Sequence, residues 1–419
     1  MAIGKKQLEM RSKQFIAMRF GDAKVEPGAP HTMHRTLVAL TTLATCSLCG
    51  AEVLTVDDDG PADFTTIAAA LEVANPGDTI LVRAGTYAES GLAPSGGITI
   101  EGEVDAEGLP ATMIDGEGQL VMQFSLHADE QAVVRNLRVT SAESMAFQFF
   151  HSKPTIINCT FTGCGKSDAV DFTLGGAMYN LNGAPVLIDC RFIDNFGGQG
   201  GAFATWESGP DELKHPYFLR CTFRGNTGRW GGAMSNMRSN PTLVECVFEN
   251  NTALVGGGAI YNEGFDEPDF WLSRPIIESC VFTGNSTPGE GGAILNQGSS
   301  ESTLIDCRLS GNSASLGGGI MNNGSSFSIL TNTIACDNLP EQITGSWNDE
   351  GENWIGVACP PLPNADLNGD GSVDGVDLAT LLSDWNCTGP VCIADLNQDG
   401  QVGGADLTIL LGEWGPRPG

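Results

Sequence analysis

Six short segments of the chain share one pattern of apolar and polar positions. Each has an apolar residue, a polar residue two positions later, then a cysteine, and an aromatic residue or leucine two positions after the cysteine. The segments are Thr155–Phe161, Val186–Phe192, Tyr217–Phe223, Thr242–Phe248, Ile276–Phe282 and Thr303–Leu309. The cysteine and the aromatic residue are two positions apart, so they point to one face of a β-strand. The first apolar residue lies three positions before the cysteine, which predicts a bend or bulge between them.

A second element, a glycine pair followed by a small or apolar residue, alternates with the first. Its copies are Gly175-Gly176-Ala177, Gly200-Gly201-Ala202, Gly231-Gly232-Ala233, Gly257-Gly258-Ala259, Gly291-Gly292-Ala293 and Gly318-Gly319-Ile320. We therefore expect at least two short strands per repeat, joined by glycine-rich turns. Successive cysteines are 31, 31, 25, 34 and 27 residues apart, a variation typical of loop insertions in a stacked solenoid. The glycine density and the lack of a 3.6-residue period exclude a helical repeat.

Before the repeats, one segment has a helical pattern. Ile67, Leu71 and Ala74 fit one face of a helix, and Ile80 with Val82 then begins a strand. This entry segment, from Asp63 through Pro76-Gly77-Asp78 to Gly85-Thr86-Tyr87, resembles the capping start of right-handed β-helices of the pectin-lyase type.

The repeats also resemble a known family. Phe-x-x-Asn, found at Phe192, Phe223, Phe248 and Phe282, together with the glycine-pair element is similar to the repeat of polymorphic outer-membrane proteins. The two resemblances cover about residues 52–340 and imply a mainly β fold, a right-handed parallel β-helix solenoid with an N-terminal capping helix. A linker at 341–363 and a small α-helical domain at 364–419 are expected to follow.

Residues 1–51 have the order of a signal peptide. Seven basic residues precede or flank the apolar run Leu37–Leu43, and the small residues Cys49, Gly50 and Ala51 follow. We expect cleavage after Ala51 and a protein that is secreted or associated with the cell surface, without a transmembrane segment. Two alternatives concern this region: translation from Met33, which leaves 1–32 outside the gene product, and a lipoprotein signal at Leu43–Cys46.

Charge narrows the class of partner. Asp and Glu total 51 against 21 Lys and Arg, a net charge of -30, which argues against nucleic acid because phosphate charge would not be neutralised. Calcium and basic partners are the natural counterparts.

The repeat positions do not assemble an obvious catalytic site, and we predict no catalytic residue. The cysteines at 159, 190, 221, 246, 280 and 307 are expected to form a column of buried thiols; a redox or metal column is the alternative. The asparagines at 195, 226, 251, 285 and 312 are expected to form a turn-stabilising ladder. The Arg-x-Pro-x-x-Arg arrangement of pectate lyases and the paired-aspartate and Gly-His-Gly motifs of polygalacturonases are absent.

Two sets of acidic residues are candidates for catalysis. Asp189, Glu245 and Asp306 share one repeat position and are expected to form a solvated polar stripe. Glu278 occupies a position that is apolar in the other repeats, so either its pKa is raised by burial or the nearby bend turns it outward.

Aromatic residues in four irregular loops are the better candidates for ligand contact. The loops are Ser167–Leu174, Trp206–His215, Gly228–Trp230 and Glu263–Trp271, and they carry Trp206, Trp230, Phe265, Phe270 and Trp271. Exposed aromatic rings stack on sugars or bury in protein interfaces. The alternative is that they only cover the flank of the solenoid.

The C-terminal region contains two loops of EF-hand type. The first places oxygen ligands at positions 1, 3, 5, 9 and 12, namely Asp366, Asn368, Asp370, Asp374 and Asp377, and the Ser372 carbonyl at position 7. The second has Asp395, Asn397, Asp399, Gln401 and Asp406, lacks a side-chain ligand at position 9, and should bind calcium more weakly.

After each loop the same apolar stripe appears, with spacing i, i+3, i+4 and i+7. The copies are Leu378, Leu381, Leu382 and Trp385, then Leu407, Leu410, Leu411 and Trp414. They predict two amphipathic helices that pack together. Cys387 and Cys392 lie between the copies, where export would permit a disulfide.

Residues 364–414 contain two copies of a loop followed by a helix, with Asp at position 12 of each loop, and this arrangement resembles a type I dockerin. The resemblance implies calcium as cofactor and a cohesin-like domain as partner. Positions 10 and 11 of dockerin loops contact the cohesin and often bear hydroxyls, whereas here they are Gly375-Val376 and Gly404-Ala405. The alternative is that calcium only folds a small terminal domain.

The first functional hypothesis is a secreted, non-catalytic β-helix that binds extracellular polysaccharide or a cell-surface protein, attached through a calcium-dependent dockerin-like module. The rival hypothesis is a polysaccharide lyase or glycoside hydrolase of the pectin-lyase fold.

Overall fold

A computed structural model describes most of the chain after residue 49. The described residues are 50–125, 132–141, 143–165, 175–206, 215–265, 272–359, 365–368, 370, 372–387, 392–396, 401–412 and 414–416. The predicted signal segment 1–51 lies outside this part, apart from its last two residues. Within the described residues, no helix is both long and apolar enough to cross a membrane.

Three long sheets of parallel strands dominate the structure. The first sheet has 12 strands: Val53–Val56, Thr79–Val82, Thr99–Gly102, Val133–Arg135, Thr155–Ile157, Val186–Ile188, Tyr217–Leu219, Thr242–Val244, Ile276–Glu278, Glu301–Ile305, Phe327–Thr331 and Ser346–Asp349. The second has 11: Gly85–Ala88, Thr112–Asp115, Leu137–Thr140, Thr160–Thr162, Arg191–Ile193, Thr222–Arg224, Val247–Glu249, Val281–Thr283, Arg308–Ser310, Ile334–Cys336 and Trp354–Gly356. The third has nine: Met122–Phe124, Phe147–Phe150, Met178–Leu181, Phe203–Trp206, Met234–Met237, Ile260–Glu263, Ile294–Gln297, Ile320–Asn322 and Ile343–Thr344.

The chain visits the first, second and third sheets in turn, so each circuit is one coil of a parallel β-helix. Equivalent residues of successive coils pair in register, for example Ile156 with Leu187. In the three-residue strands of the first sheet the middle residue is buried in the core. In the second sheet the rings of Phe161, Phe192, Phe223, Phe248 and Phe282 stack at 4.7–5.2 Å between centroids. The predicted solenoid is confirmed.

The predicted bend is a single residue in the left-handed conformation between the first and second sheets. Its φ angle is 47–55° at Asn158, Asp189, Arg220, Glu245, Ser279 and Asp306. The bend reverses the alternation, so the apolar residue before it and the cysteine after it both face the core. The side chains of this column point outward, where Arg220 pairs with Asp189 at 2.7 Å, as expected for a solvated polar stripe.

The cysteine column is buried and unbonded. All six cysteines are free and at most 2% exposed, and each thiol lies 3.2–3.5 Å from the carbonyl oxygen two residues earlier. In the next coil Thr333 takes the place of the cysteine, and its hydroxyl donates to the Thr331 carbonyl oxygen at 3.1 Å. Burial raises the pKa of the Cys307 thiol to about 12, which keeps it protonated. These observations favour packing over redox or metal chemistry.

The asparagine ladder is also present, between the second and third sheets. The side-chain amide of each asparagine donates to the side-chain oxygen of the next, at 2.8–2.9 Å, from Asn195 through 226, 251, 285 and 312 to Asn338. The amides also donate to core carbonyls, as Asn251 does to Phe223 at 3.0 Å. The ladder thus satisfies backbone groups that the turn would leave unpaired.

The third sheet carries a second ladder, which was not predicted from the sequence. Asn236, Asn262, Asn296 and Asn322 are linked by amide hydrogen bonds of 2.7–2.9 Å and face the core. In four of the glycine-pair elements an asparagine lies three residues after the alanine, as Asn180 does. This spacing is the sequence pattern from which the second ladder could have been predicted.

Helix α1, Ile67–Val73, covers the first coils. Thr66 accepts from the Ala69 N–H at its start, and the Glu89 carboxylate accepts from the N–H groups of Ile67 and Ala68 at 2.7 and 2.8 Å. Ile67 is fully buried, and Leu71 and Ala74 pack against the core. The predicted capping helix is therefore confirmed.

At its other end the β-helix extends beyond the expected boundary. Ser346–Asp349 and Trp354–Gly356 pair with the preceding coil, and a disulfide joins Cys336 to Cys359. The expected linker at 341–363 thus contains a further coil, because backbone pairing continues after the Phe and glycine-pair signals have faded.

The C-terminal region has its own small core. Helices α2, Gly375–Ser383, and α3, Gly404–Gly412, contact each other, and Ser372–Val373 pairs antiparallel with Gly415–Pro416. Leu381 and Leu410 are fully buried in this core, which also contains the predicted disulfide Cys387–Cys392. The outer members of both stripes, Leu382, Trp385, Leu411 and Trp414, are 39–53% exposed, so only part of each stripe packs as expected.

Replacing Asn251 by alanine should destabilise the β-helix by about 2–4 kcal/mol, because it leaves several buried donors and acceptors of the ladder unpaired. Urea unfolding of Asn251→Ala and of the exposed control Asn348→Ala measures the difference. A loss for Asn251→Ala no larger than for the control would show that the ladder contributes nothing to stability.

Candidate functional site

A small parallel sheet lies between the second and third sheets. Its strands are Phe196–Gln199, Thr227–Trp230 and Thr252–Gly256. The segment Gly228–Trp230, expected to be an irregular loop, is therefore part of a strand, because it pairs with the coils on both sides. Trp230 packs against Tyr261, with ring centroids 4.8 Å apart, beside Leu295 and Met321 on the outer face of the third sheet.

An arginine lies between two aromatic rings at the end of this face. Arg238 follows the strand Met234–Met237 in the left-handed conformation, with φ of 56°. The centre of its guanidinium group is 4.4 Å from the Phe265 ring centroid and 5.6 Å from that of Trp206. These distances are in the range of cation–π interactions.

A carboxylate stands beside this arginine. Glu263 is partly buried, and burial raises its pKa, a rise that the Tyr261 hydroxyl and the Arg238 charge partly offset. Burial also lowers the pKa of Arg238, with Glu263 acting in the opposite direction. The Tyr261 hydroxyl lies 3.3 Å from Oε1 of Gln297. The groups therefore form one partly desolvated polar network.

Strand register explains why these residues meet. Trp206, Met237, Glu263 and Gln297 are successive partners in the third sheet, so Trp206, Glu263 and Gln297 share one outward column. Ser235 and Tyr261 share the neighbouring column. We call the set of Trp206, Arg238, Tyr261, Glu263, Phe265 and Gln297 the aromatic site.

The structure brings together part of the aromatic set expected from the sequence. Trp206 and Trp230 lie on strands rather than in loops, and Phe265 is 36% exposed. Phe270, Trp271 and the loop Ser167–Leu174 lie outside the described residues. Arg238 and Tyr261 were not predicted as site residues, although alternation after Gly257-Gly258-Ala259 places Tyr261 and Glu263 on one face.

Glu278 is not part of this site. It lies in the first sheet, in register with Val244 and Ile305, and all three residues of this outward column are partly exposed. Of the two alternatives for Glu278, the outward orientation is correct. Its column lies on the outer face of the sheet although the other members are apolar, as the alternation with the buried Ile277 shows.

The first EF-hand-type loop is organised by hydrogen bonds from backbone N–H groups. The Asp370 N–H lies 3.0 Å from Oδ1 of Asp366 and 2.9 Å from Oδ1 of Asn368. Asp377 is fully buried and accepts from Leu367, Asn368 and Asp374 at 2.7, 3.1 and 2.8 Å. Burial opposes ionisation of Asp377, but these N–H groups outweigh it and lower its pKa. Asp374 serves as N-cap of α2.

The second loop repeats the central contacts. Asp406 is fully buried and accepts from Leu396 and Gly403, both at 2.7 Å, which correspond to the bonds of Asp377 with Leu367 and Asp374. Asp395 is 8% exposed, and Gln401 lies at the start of the segment 401–412. Asn397 and Asp399 lie outside the described residues.

The donor set of the first loop fits a hard cation. Carboxylate and amide oxygens are the ligands that calcium prefers, and each oxygen that accepts an N–H retains a second lone pair. In the described part of the chain, the acidic and cysteine groups with ligand atoms within 4.8 Å of one another are Asp57-Asp58-Asp59 and Cys336-Asp337-Cys359.

Comparisons with solved structures find distant similarities. Three solved structures are similar: a pectin methylesterase from Aspergillus niger (15% identity, 70% of this chain and 89% of that one, TM-score 0.39), a PL6 alginate lyase complex with trisaccharide (12%, 71% and 60%, 0.44) and the pectate lyase Pel9A (14%, 77% and 85%, 0.37). Similarities this low concern the type of fold alone.

Sequence comparisons give the family. Among curated proteins nothing matches the sequence. The family model of the right handed beta helix region matches residues 123–334. This is half of the chain and spans the cysteine column, the first asparagine ladder up to Asn312, the second ladder and the aromatic site. The chain therefore belongs to the right-handed β-helix family.

Proposed function

We propose that this chain is a secreted β-helix protein that binds extracellular polysaccharide at the aromatic site. The observation that carries the proposal is the guanidinium group of Arg238 within cation–π distance of Trp206 and Phe265, on a sheet face that also carries Glu263 and Gln297. Aromatic rings pack on the apolar faces of sugars, and fixed carboxylate, amide and guanidinium groups in one place can read hydroxyl groups. The two disulfides are compatible with export.

We further propose that residues 364–419 form a dockerin-like module that binds calcium and attaches the β-helix to a partner. The ligand set Asp366, Asn368, Asp370, Ser372, Asp374 and Asp377 supports calcium binding in the first loop. The partner is a cohesin-like domain or another surface protein, and the apolar residues at loop positions 10 and 11 favour a partner with an apolar contact surface. Calcium would relieve the repulsion between the loop carboxylates and so stabilise the fold.

A second candidate function is supported by Glu263. A carboxyl group with a raised pKa can act as a general acid, and it lies beside a tyrosine and an arginine. This combination favours the alternative of a lyase or hydrolase acting on polysaccharide.

Asp370→Asn should weaken calcium binding to the first loop by about tenfold, because it removes a charged ligand while keeping the side-chain shape. Isothermal titration calorimetry of the calcium-free protein measures the affinity. Asp384→Asn, outside the loop, is the matched control and should bind like the wild type. Equal affinities for the two variants would contradict the assignment of the loop.

Trp206→Ala should weaken polysaccharide binding by about tenfold, because a sugar-stacking surface and one side of the Arg238 sandwich are lost. Affinity electrophoresis in gels containing soluble polysaccharides measures the retardation. The control is Trp354→Ala, an exposed tryptophan on the second sheet. If Trp206→Ala is retarded as strongly as the wild type, this location of the site is wrong. The location is also wrong if Trp206→Ala and Trp354→Ala lose retardation equally.

If the chain is an enzyme, Glu263→Gln should abolish release of reducing or unsaturated ends. The wild-type rate should fall as pH rises through the raised pKa of Glu263, because the protonated acid is lost in that direction. Product analysis across a pH series checks both points. Wild-type protein that binds a polysaccharide and releases no products from it would rule out the enzymatic alternative.

A further inference from the structure

The last coil of the β-helix is held by one neighbouring coil. In the described part of the chain, each of its three strands stands at the edge of a sheet and pairs on one side. The strands are Ile343–Thr344, Ser346–Asp349 and Trp354–Gly356. Its contacts with the core come from partly buried side chains, those of Ile343, Trp347 and Ile355. Coils of a solenoid are stabilised by their neighbours, so a coil with a single neighbour opens more easily than an internal one.

A disulfide closes this coil onto the strand before it. Cys336 ends the second-sheet strand Ile334–Cys336, and Cys359 follows the last strand, Trp354–Gly356. The Cα atoms of the two cysteines are 4.7 Å apart, although the separation in sequence is 23. The bond therefore makes a closed covalent loop of residues 337–358, which contain all three strands of the last coil.

The two ends of the bond have different surroundings. Cys336 is fully buried on an internal strand and pairs with Ser310 of the coil before and with Gly356 of the coil after. Cys359 is followed by the connection to the C-terminal module, and five residues separate it from Ala365, which is buried in the core of that module. Such a connection spans at most about 22 Å when extended. Tension on the module would therefore reach Cys359 directly.

The disulfide changes where that tension enters the β-helix. Without the bond, a pull at Cys359 would act on the end of an edge strand, and the last coil would peel away one hydrogen bond after another. With the bond, the force passes through the two sulfur atoms to Cys336, and the closed loop 337–358 is not extended. Further unfolding then requires the strand Ile334–Cys336 to separate from the coils on both of its sides.

We propose that the Cys336–Cys359 disulfide is a mechanical anchor, which transfers tension from the C-terminal module to an internal strand and keeps the last coil closed. This proposal rests on the proposed function of the module, because attachment to a partner is what puts the chain under tension. Reduction of the bond would leave a weak joint whose opening releases about 80 Å of chain. The Cys387–Cys392 disulfide, with a separation of 5 residues, lies inside the module and has no such effect on the β-helix.

Single-molecule force spectroscopy of the full chain, held by its two termini with calcium present, tests the proposal. In Cys336→Ser/Cys359→Ser we expect the first β-helix event to lengthen the chain by about 80 Å, an event that the disulfide-bonded protein lacks. The first β-helix event of the disulfide-bonded protein should need about twice the force, because an internal strand is bonded on two sides and an edge strand on one. Cys387→Ser/Cys392→Ser is the matched control and should give this event at the wild-type force.

Hydrogen exchange at zero force shows whether the last coil is paired in Cys336→Ser/Cys359→Ser before pulling. If it is already open, the preceding coil becomes the edge, and the first β-helix event should still occur at about half the wild-type force. Equal forces for this event in the variant and the wild type would overturn the anchor in either case. No partner takes part in the measurement, so failure of the proposed function is distinguishable: it would show as a first loop that binds no calcium in a calorimetric titration.

Discussion

The structure depends on the pairing of backbone polar groups at the corners of its coils. Strands hydrogen-bond to the coils before and after them, but the turns between sheets leave N–H and C=O groups inside the core. The buried amides from Asn195 to Asn338 supply the missing partners, and each is bonded to the next coil. Satisfying a buried polar group therefore also sets the register of neighbouring coils.

That register is the basis of the aromatic site. Trp206, Glu263 and Gln297 are distant in sequence, yet strand pairing places them in one column. Side chains mounted on a paired sheet lose little further freedom when a ligand binds. The small sheet that holds Trp230 against Tyr261 stiffens the same face. A ligand would therefore meet a surface whose spacing is already fixed by the coil.

Periodic features were predictable from the sequence because every coil buries side chains at the same positions and pairs the same backbone groups. The bend before each cysteine, the buried thiols, the first ladder and helix α1 all follow from spacing and alternation. The Cys387–Cys392 disulfide followed from the short separation of the two residues. Each of these features depends on local sequence or on a column of equivalent positions.

Features that depend on tertiary packing were not predictable in the same way. Arg238 has no equivalent in neighbouring repeats, and its position between Trp206 and Phe265 depends on how three separate coils align. The coil that ends at Gly356 lacks the repeat signals, yet backbone pairing extends the solenoid through it. The exposure of Leu382 and Trp385 likewise depends on the angle at which the two C-terminal helices meet, which the stripe alone does not specify.

The cysteine column has a consequence for the order of events during maturation. The described part of the chain holds seven free thiols, all buried, and all precede in sequence the four cysteines that form disulfides. In an oxidising compartment, a thiol is protected from mispairing only after its coil has closed, since exposed thiolates are the reactive species. In such a compartment, coil closure and oxidation would be in kinetic competition, and the yield of correctly paired protein would depend on how far the first outpaces the second.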